Sequence, residues 1–213
     1  MSKNNYCRFY LVRHGETVWN VERIMQGHQD SPLTENGIEQ AKQLGLQLED
    51  IELTHVFSSD LFRAKRTAEI IAADRNLAVK TSQLLRETNL SPFEGKPLQH
   101  FLDELKEALA TRESLGETEK MHYRLYPSHE TYDETASRIL TFLRETALAY
   151  IGQNVLVVSH AGTLRALLVK LGLGTNTQLP HGCIKNTCCV IIDSDGIEFF
   201  VREARGIEKR IIQ

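Results

Sequence analysis

The sequence has no marked excess of charge of either sign. Its 25 Lys+Arg residues against 28 Asp+Glu leave a formal net charge of -3 and a pI near 6.2. Nucleic-acid binding and polybasic membrane attachment both need a concentrated basic surface, so neither is supported. No apolar run approaches the roughly 20 residues that cross a bilayer. Met1-Ser2-Lys3-Asn4-Asn5 leads into a strand rather than into the apolar core of a secretion signal, so the cytoplasm is the expected location. Cysteine is scarce: Cys7, Cys183, Cys188 and Cys189 form no CxxC pair. Reduced thiols serving as small core residues are favoured over a disulfide framework or a metal site. The histidines include no HExxH or similarly spaced set, so no metal and no cofactor is implied. Internal repeats and low-complexity linkers are also missing.

What is present suits one folded unit. A chain of 213 residues, 41% hydrophobic and 25% charged, can bury a substantial core, and we read residues 1–213 as a single domain. Phe9-Tyr10-Leu11-Val12 reads as a buried strand, followed by Arg13-His14-Gly15-Glu16-Thr17. Thr34 is a plausible N-cap, after which Ile38, Ala41, Leu44 and Leu48 recur at helical spacing. Thr54 to Phe57 reads as a second strand, with a helix carrying Ala64, Ala68, Ile71 and Ala72 behind it. Leu77-Ala78-Val79 is a weaker strand. From Pro97 to about Leu125 the chain turns charge-rich and helical, which reads as an insertion too short for its own core. A long helix is expected from Pro127-Ser128 to about Tyr150. Asn154 to Ser159 is the clearest strand, its continuous apolar run Val155-Leu156-Val157-Val158 suggesting burial on both faces of a parallel sheet. A further helix follows from Leu164 to Leu171, and two strands near Cys188–Ile192 and Ile197–Val201 close the chain. The pattern is α/β: a three-layer α/β/α sandwich around a mostly parallel sheet.

Polar residues gather where these strands end, the edge at which open α/β sheets hold ligands. A His there can be a nucleophile, a proton carrier or a metal ligand, and the adjacent Arg13 favours an anion. Strand two runs out into Ser58-Ser59-Asp60 with Arg63 beyond it, the next loop carries Arg86-Glu87, and the apolar strand ends at His160. Ala161 and Gly162 follow at a helix start, whose backbone N–H groups can bind an anion. Plainer readings exist for two of these residues. Arg63 could be salt-bridged to Asp60, and Glu87 could be a surface partner of Arg86.

Several segments together resemble the histidine phosphatase superfamily, also called the phosphoglycerate mutase-like family. They are Leu11-Val12-Arg13-His14-Gly15-Glu16-Thr17 with Asn20, Gln26-Gly27 with Pro32-Leu33-Thr34, Ser58 to Ala64, Leu85-Arg86-Glu87 and Val158-Ser159-His160-Ala161-Gly162. The resemblance implies a phosphoglycerate mutase-like fold with the insertion of about 97–125 capping the active site. It implies His14 as phosphoryl acceptor, Arg13 and Arg63 as clamps on the phosphoryl oxygens, His160 as a further donor and Glu87 as proton donor. Asn20, Gln26, Gly27, Ala161 and Gly162 are implied substrate contacts, with a small phosphorylated metabolite as the substrate and a homodimer as a family-level option. Residues 85–97 resemble the phosphatase branch, departing from it at Ser91-Pro92. The stretch around Glu87 and the insertion lack the mutase branch's Arg-Leu-Asn-Glu-Arg-His-Tyr-Gly and paired arginines. A phosphatase is therefore expected, with a phosphoglycerate mutase as the alternative and a non-catalytic phospho-ligand binder as the outlying one. His28, His55, His100, His122, His129 and His181 are expected in surface or packing roles, and Lys96, Lys106, Arg112, Lys120 and Arg124 on a solvated helical face.

Overall fold

The computed structural model describes residues 5–211; most of the N-terminal segment expected to carry no secretion signal lies outside them. Along the chain run β1 (Cys7–Arg13), α1 (Val18–Val21), α2 (Glu35–Gln47), β2 (His55–Ser59), α3 (Phe62–Ile71) and β3 (Val79–Ser82). A short 3-10 turn, Gln83–Leu85, precedes α4 (Leu98–Glu104), α5 (Lys106–Ser114) and α6 (Glu117–His122). Then come α7 (Tyr132–Ala149), β4 (Asn154–Ser159), α8 (Ala161–Lys170), β5 (Ile184–Ser194) and β6 (Phe199–Ile207).

The strands form one sheet in the order β3-β2-β4-β1-β5-β6. The first four are mutually parallel, while β5 and β6 continue the sheet antiparallel. Alternation along β1 sends Phe9 and Leu11 to one face and Tyr10 and Val12 to the other, and all four are buried. The first pair packs with Ile139, Leu143, Leu164 and Leu167 of α7 and α8. The second packs with Ala41, Leu44, Ala64 and Ala68 of α2 and α3. Helices thus cover both faces, which completes the three layers. Cys188 and Cys189 part to these two cores. Burial pushes the Cys7 and Cys189 thiols up to about 12 and Cys188 to about 11, and all four cysteines are free.

Several boundaries move from those expected. The long helix starts at Tyr132 because Thr131 and Glu134 form a capping box, which leaves His129 and Glu130 in the preceding loop. The third strand is Val79–Ser82, since Val79 is where pairing with Val56 begins. The last two strands are longer, and their ladder is interrupted between Ile184 and Cys189. There Thr187 takes a positive φ of 51°, uncommon for a β-branched residue. Helices α4 to α6 fill the 97–125 region with a small apolar cluster of their own, Phe93, Phe101 and Leu105 with Met25, Leu98, Leu109 and Leu125. Arg112 and Lys120 do not join a solvated face. They are 5% and 7% exposed, Arg112 bonded to the Tyr132 hydroxyl and Lys120 flanked by Glu113 and Glu117. Among the described residues, no helix is long and apolar enough to cross a membrane.

Candidate active site

The C-terminal ends of β1 and β4 lie side by side, with Arg13 opposite Ser159. The His14 N–H continues the pairing by donating to Ser159 O at 3.0 Å. Beyond that bond the chain passes in close backbone contact with the first turn of α2. Gly15 and Gly37 make this possible: a Cβ on Gly15 would lie 2.4 Å from Gly37 O, and one on Gly37 would lie 2.0 Å from Glu16 O. The loop is therefore seated backbone against backbone on the first turn of α2. Thr67 of α3 holds it from another side, accepting the Gly15 N–H at 3.0 Å while donating to Arg63 O. Asn186 of β5 donates to His14 O at 3.0 Å.

This seating sets the state of the His14 ring. Its Nδ1 lies 2.7 Å from Gly15 O, and a carbonyl can only accept, so the proton is assigned to Nδ1. Nε2 keeps its lone pair. Burial, then the charges of Arg63 and Arg13, hold the ring's pKa well below the usual histidine range. His14 is thus a neutral, oriented imidazole, 3% exposed, among cations.

Arg63 is 1% exposed and held from loop 27–30. Its Nη1 donates to Gln29 O and Asp30 Oδ1 at 2.7 and 2.8 Å, and Nη2 donates to Gly27 O at 2.7 Å. These bonds use three of five guanidinium hydrogens; Nε is buried and has no partner. Arg13 repeats the arrangement, with Nη1 on Ile184 O at 2.7 Å and a buried, unpartnered Nε. His160, the N-cap residue of α8, is fully buried with neither ring nitrogen bonded. Its ring centroid lies 5.2 Å from that of His14. Burial, then Arg63 and His14, depress its pKa well below the usual range. Buried polar atoms without partners cost roughly 1–3 kcal/mol each. Arg13 and Arg63 thus each keep a free Nε–H, and the neutral His160 ring one free N–H, as donors suited to an oxyanion.

Glu87 completes the group. Its Oε1 accepts from Thr88 N and Thr163 N at 2.8 and 3.0 Å, with the Thr163 hydroxyl, which donates to Arg86 O, 3.2 Å away, while Oε2 accepts only from Gly162 N at 3.0 Å. The donors at the start of α8 thus hold this carboxylate, a favourable charge at a helix N-terminus. That corrects the expectation that the Gly162 N–H meets a substrate anion, because Glu87 takes it. A Cβ on Gly162 would stand 2.6 Å from Glu87 Oε1, so a side chain there would push the carboxyl group from its place. Ala161 opens α8 against the core. Both plainer readings are corrected too. Arg63 pairs with Asp30, and Asp60 takes Arg86 in a two-pronged bridge at 2.8 and 2.6 Å, which leaves Glu87 to α8.

The remaining sequence candidates have partners of their own. Asn20 closes the capping box of α1 with Thr17 and accepts from Asn186 at 3.4 Å. Gln26 donates to the Thr17 hydroxyl at 2.9 Å, and its buried Oε1 is unpartnered. Gly27, at φ +52°, offers its carbonyl to Arg63. His28, expected at the surface or in packing, donates from Nε2 to Glu87 O at 2.8 Å. Asp30 and Asn186 had no sequence signal, because their partners lie 33 and 172 residues away. Thr67 could have been found, standing one helical turn after Arg63. Among the described residues no group of three or more His, Cys, Asp or Glu side chains could hold a metal ion.

An α/β protein with a mixed sheet and a neutral imidazole beside two buried arginines at its strand ends is a fold and site suited to phosphoryl chemistry. The model of the histidine phosphatase superfamily (branch 1) matches residues 9–205, and the chain belongs to that superfamily. It is 32% identical over 180 residues to the "Uncharacterized phosphatase PhoE" of Bacillus subtilis, covering 83% of this chain and 85% of that one. It is 38% identical over 170 residues to the "Probable phosphoglycerate mutase GpmB" of Yersinia pestis, covering 79% and 77%. The solved structure of Bacillus stearothermophilus YhfR superposes with a TM-score of 0.81 at 33% identity, over 92% of this chain and 95% of that one.

Proposed function

We propose that the protein is a phosphomonoesterase for small phosphorylated metabolites, working through a phosphohistidine at His14 without a metal ion. The observation that carries this reading is the set of buried, unpartnered nitrogens on Arg13, Arg63 and His160, two cations whose charges act on His14 and a ring in contact with it, beside a His14 whose Nδ1 is tied to Gly15 O. A phosphate monoester repels nucleophiles by its own charge, so preorganised cations at the non-bridging oxygens are the main requirement. His14 Nε2 forms a bond to phosphorus as the ester P–O bond breaks. The leaving alkoxide takes a proton from the Glu87 carboxyl and departs as the alcohol. Oε2 is the oxygen for that proton, since it accepts one hydrogen bond where Oε1 accepts two from backbone N–H groups. Water then attacks phosphorus and gives a proton to Glu87, and the P–N bond breaks to release phosphate. In this reading α4 to α6 cap the site, supported by their apolar cluster resting on Met25, beside Gln26, and on Phe93.

A mutase would use the same phosphoenzyme but return the phosphoryl group to a substrate hydroxyl. The name carried by the Yersinia pestis relative favours that second reading. A panel of phosphorylated metabolites in the presence of chelator, with phosphate release and isomerisation followed together, separates the two. Phosphate release exceeding isomerisation for every ester is expected. Faster interconversion of 3- and 2-phosphoglycerate would replace the phosphatase reading with the mutase, and loss of activity to the chelator would overturn the metal-free mechanism.

A further inference from the structure

The chain segment that presents Glu87 belongs to no helix or strand beyond Leu85, so its backbone carbonyls have no ladder to accept from. Buried carbonyls without donors are costly, and this segment must also stay still if its carboxyl is to meet a leaving group. Arg138, in the second turn of α7, answers both needs. Its Nη1 donates to Leu84 O and Arg86 O at 3.0 and 2.7 Å, and Nη2 donates to Glu87 O at 2.9 Å. The other two hydrogens go to Glu130, Nε to Oε1 at 2.8 Å and Nη2 to Oε2 at 2.9 Å. All five guanidinium donors are therefore used, in contrast to the open edges of Arg13 and Arg63. Glu130 in turn accepts from Asn89 N at 3.0 Å, so the brace grips the segment on both sides of Glu87. The second lone pairs of two of these carbonyls are also filled, Arg86 O by the Thr163 hydroxyl and Glu87 O by His28. Ser159 holds Leu85 O at 2.8 Å.

We propose that Arg138, locked by Glu130, is a positioning residue for the proton-transfer step, fixing the 84–87 backbone so that the Glu87 carboxyl faces the leaving group. The inference rests on the reading of Glu87 as proton donor. Only a planar fork of five donors can span three backbone acceptors and a carboxylate; an ammonium group has three.

The test exploits the leaving group. An alkyl ester such as glycerol phosphate needs its leaving oxygen protonated, whereas p-nitrophenyl phosphate departs as a stable anion. In Arg138→Met, kcat/KM for glycerol phosphate, which reports only the steps up to departure of the alcohol, should fall about 100-fold, the loss expected of a reacting group misplaced by about 1 Å. For p-nitrophenyl phosphate the loss in kcat/KM should stay under about 10-fold. Glu87→Gln should show the same selectivity, and the double variant should be no slower than Glu87→Gln beyond about 2-fold, because both changes remove one function. Arg138→Lys should recover part of the glycerol phosphate rate. If Arg138→Met fails to fold by thermal melt, Arg138→Lys and Glu130→Gln carry the same comparison. Equal losses on both esters, or losses that multiply in the double variant, would overturn the positioning role. A Glu87→Gln variant without leaving-group selectivity would remove the donor role of Glu87, and the role of Arg138 with it.

Discussion

Replacing Gly37 by alanine sets two physical effects against each other within one helix. Gly37 lies in the first turn of α2, where its N–H donates to the Thr34 cap at 2.9 Å. An exposed-helix Gly→Ala change gains up to about 1 kcal/mol from propensity. Against that gain stands a new Cβ 2.0 Å from Glu16 O and 2.8 Å from Glu16 N, both backbone atoms of the loop that carries His14. Relieving such a contact requires the loop to retreat by about 1 Å, and overpacking of this kind costs about 1–3 kcal/mol. Gly45 in the same helix is the control, because its Cβ would meet Ile71 at ordinary distances of 3.4 Å and beyond. Gly45→Ala should therefore be neutral or stabilised with full activity. Gly37→Ala should melt several degrees below it, at roughly 2–4 °C per kcal/mol for a chain of this size. A loop shift of about 1 Å should also lower kcat about 100-fold, since it moves the nucleophile from its line of attack. Thermal melts and p-nitrophenyl phosphate kinetics on the two variants decide the matter. If Gly37→Ala matches Gly45→Ala in both, the His14 loop does not rest on the first turn of α2.

Three further outcomes follow from buried charge. His14 and His160 have native pKa values depressed chiefly by burial, while in the unfolded chain both titrate near 6.5. Above pH 6.5 both are neutral in either state, so their contribution is fully present and flat. As pH falls below 6.5 the unfolded chain takes up protons that the native state refuses, and stability drops by roughly 1 kcal/mol per pH unit for each. Urea midpoints from pH 7.5 to 5 should show this slope and His160→Gln should reduce it; an unchanged slope would contradict the assignment. Asp30→Ala should destabilise by roughly 2–4 kcal/mol. It strips the carboxylate from the buried Arg63 guanidinium and removes the acceptor for Phe62 N at 2.7 Å at the start of α3. The estimate sits below a fully buried pair because Asp30 is 31% exposed and two carbonyls still hold Arg63. Inorganic phosphate should stabilise the wild type by binding the native state only; an Asp30→Ala midpoint within about 0.5 kcal/mol of wild type would refute the role given to Asp30.

How much of this was legible in the chain depended on the range of the interaction. Phe9 to Val12 and Asn154 to Ser159 announced themselves as strands buried on both sides, because a short, unbroken apolar run between turns fits a doubly covered strand of a parallel sheet. The Thr34 cap was readable from its neighbours, since a cap bonds only three residues on. The start of α7 was misplaced for a related reason. Pro127-Ser128 looks like a helix opening, yet Thr131 and Glu134 form the better box. Arg112 and Lys120 were expected in solvent because charge usually lies there, and it took Tyr132, Glu113 and Glu117 to hold them inside.

The sequence by itself determined the alternation that makes the three-layer sheet and the loops at which Arg13, His14, Arg63, Glu87 and His160 emerge. These features arise from neighbours within one helical turn or one strand pleat, so they are written locally. Only the tertiary structure decided which ring nitrogen of His14 is free, which guanidinium edges stay open, and that Asp30 rather than Asp60 serves Arg63. It also decided that the donors of α8 hold Glu87 across 75 residues and that Arg138 clamps the loop before it. Each of those depends on donors and acceptors meeting across the sheet, where the packing of the layers selects the partners.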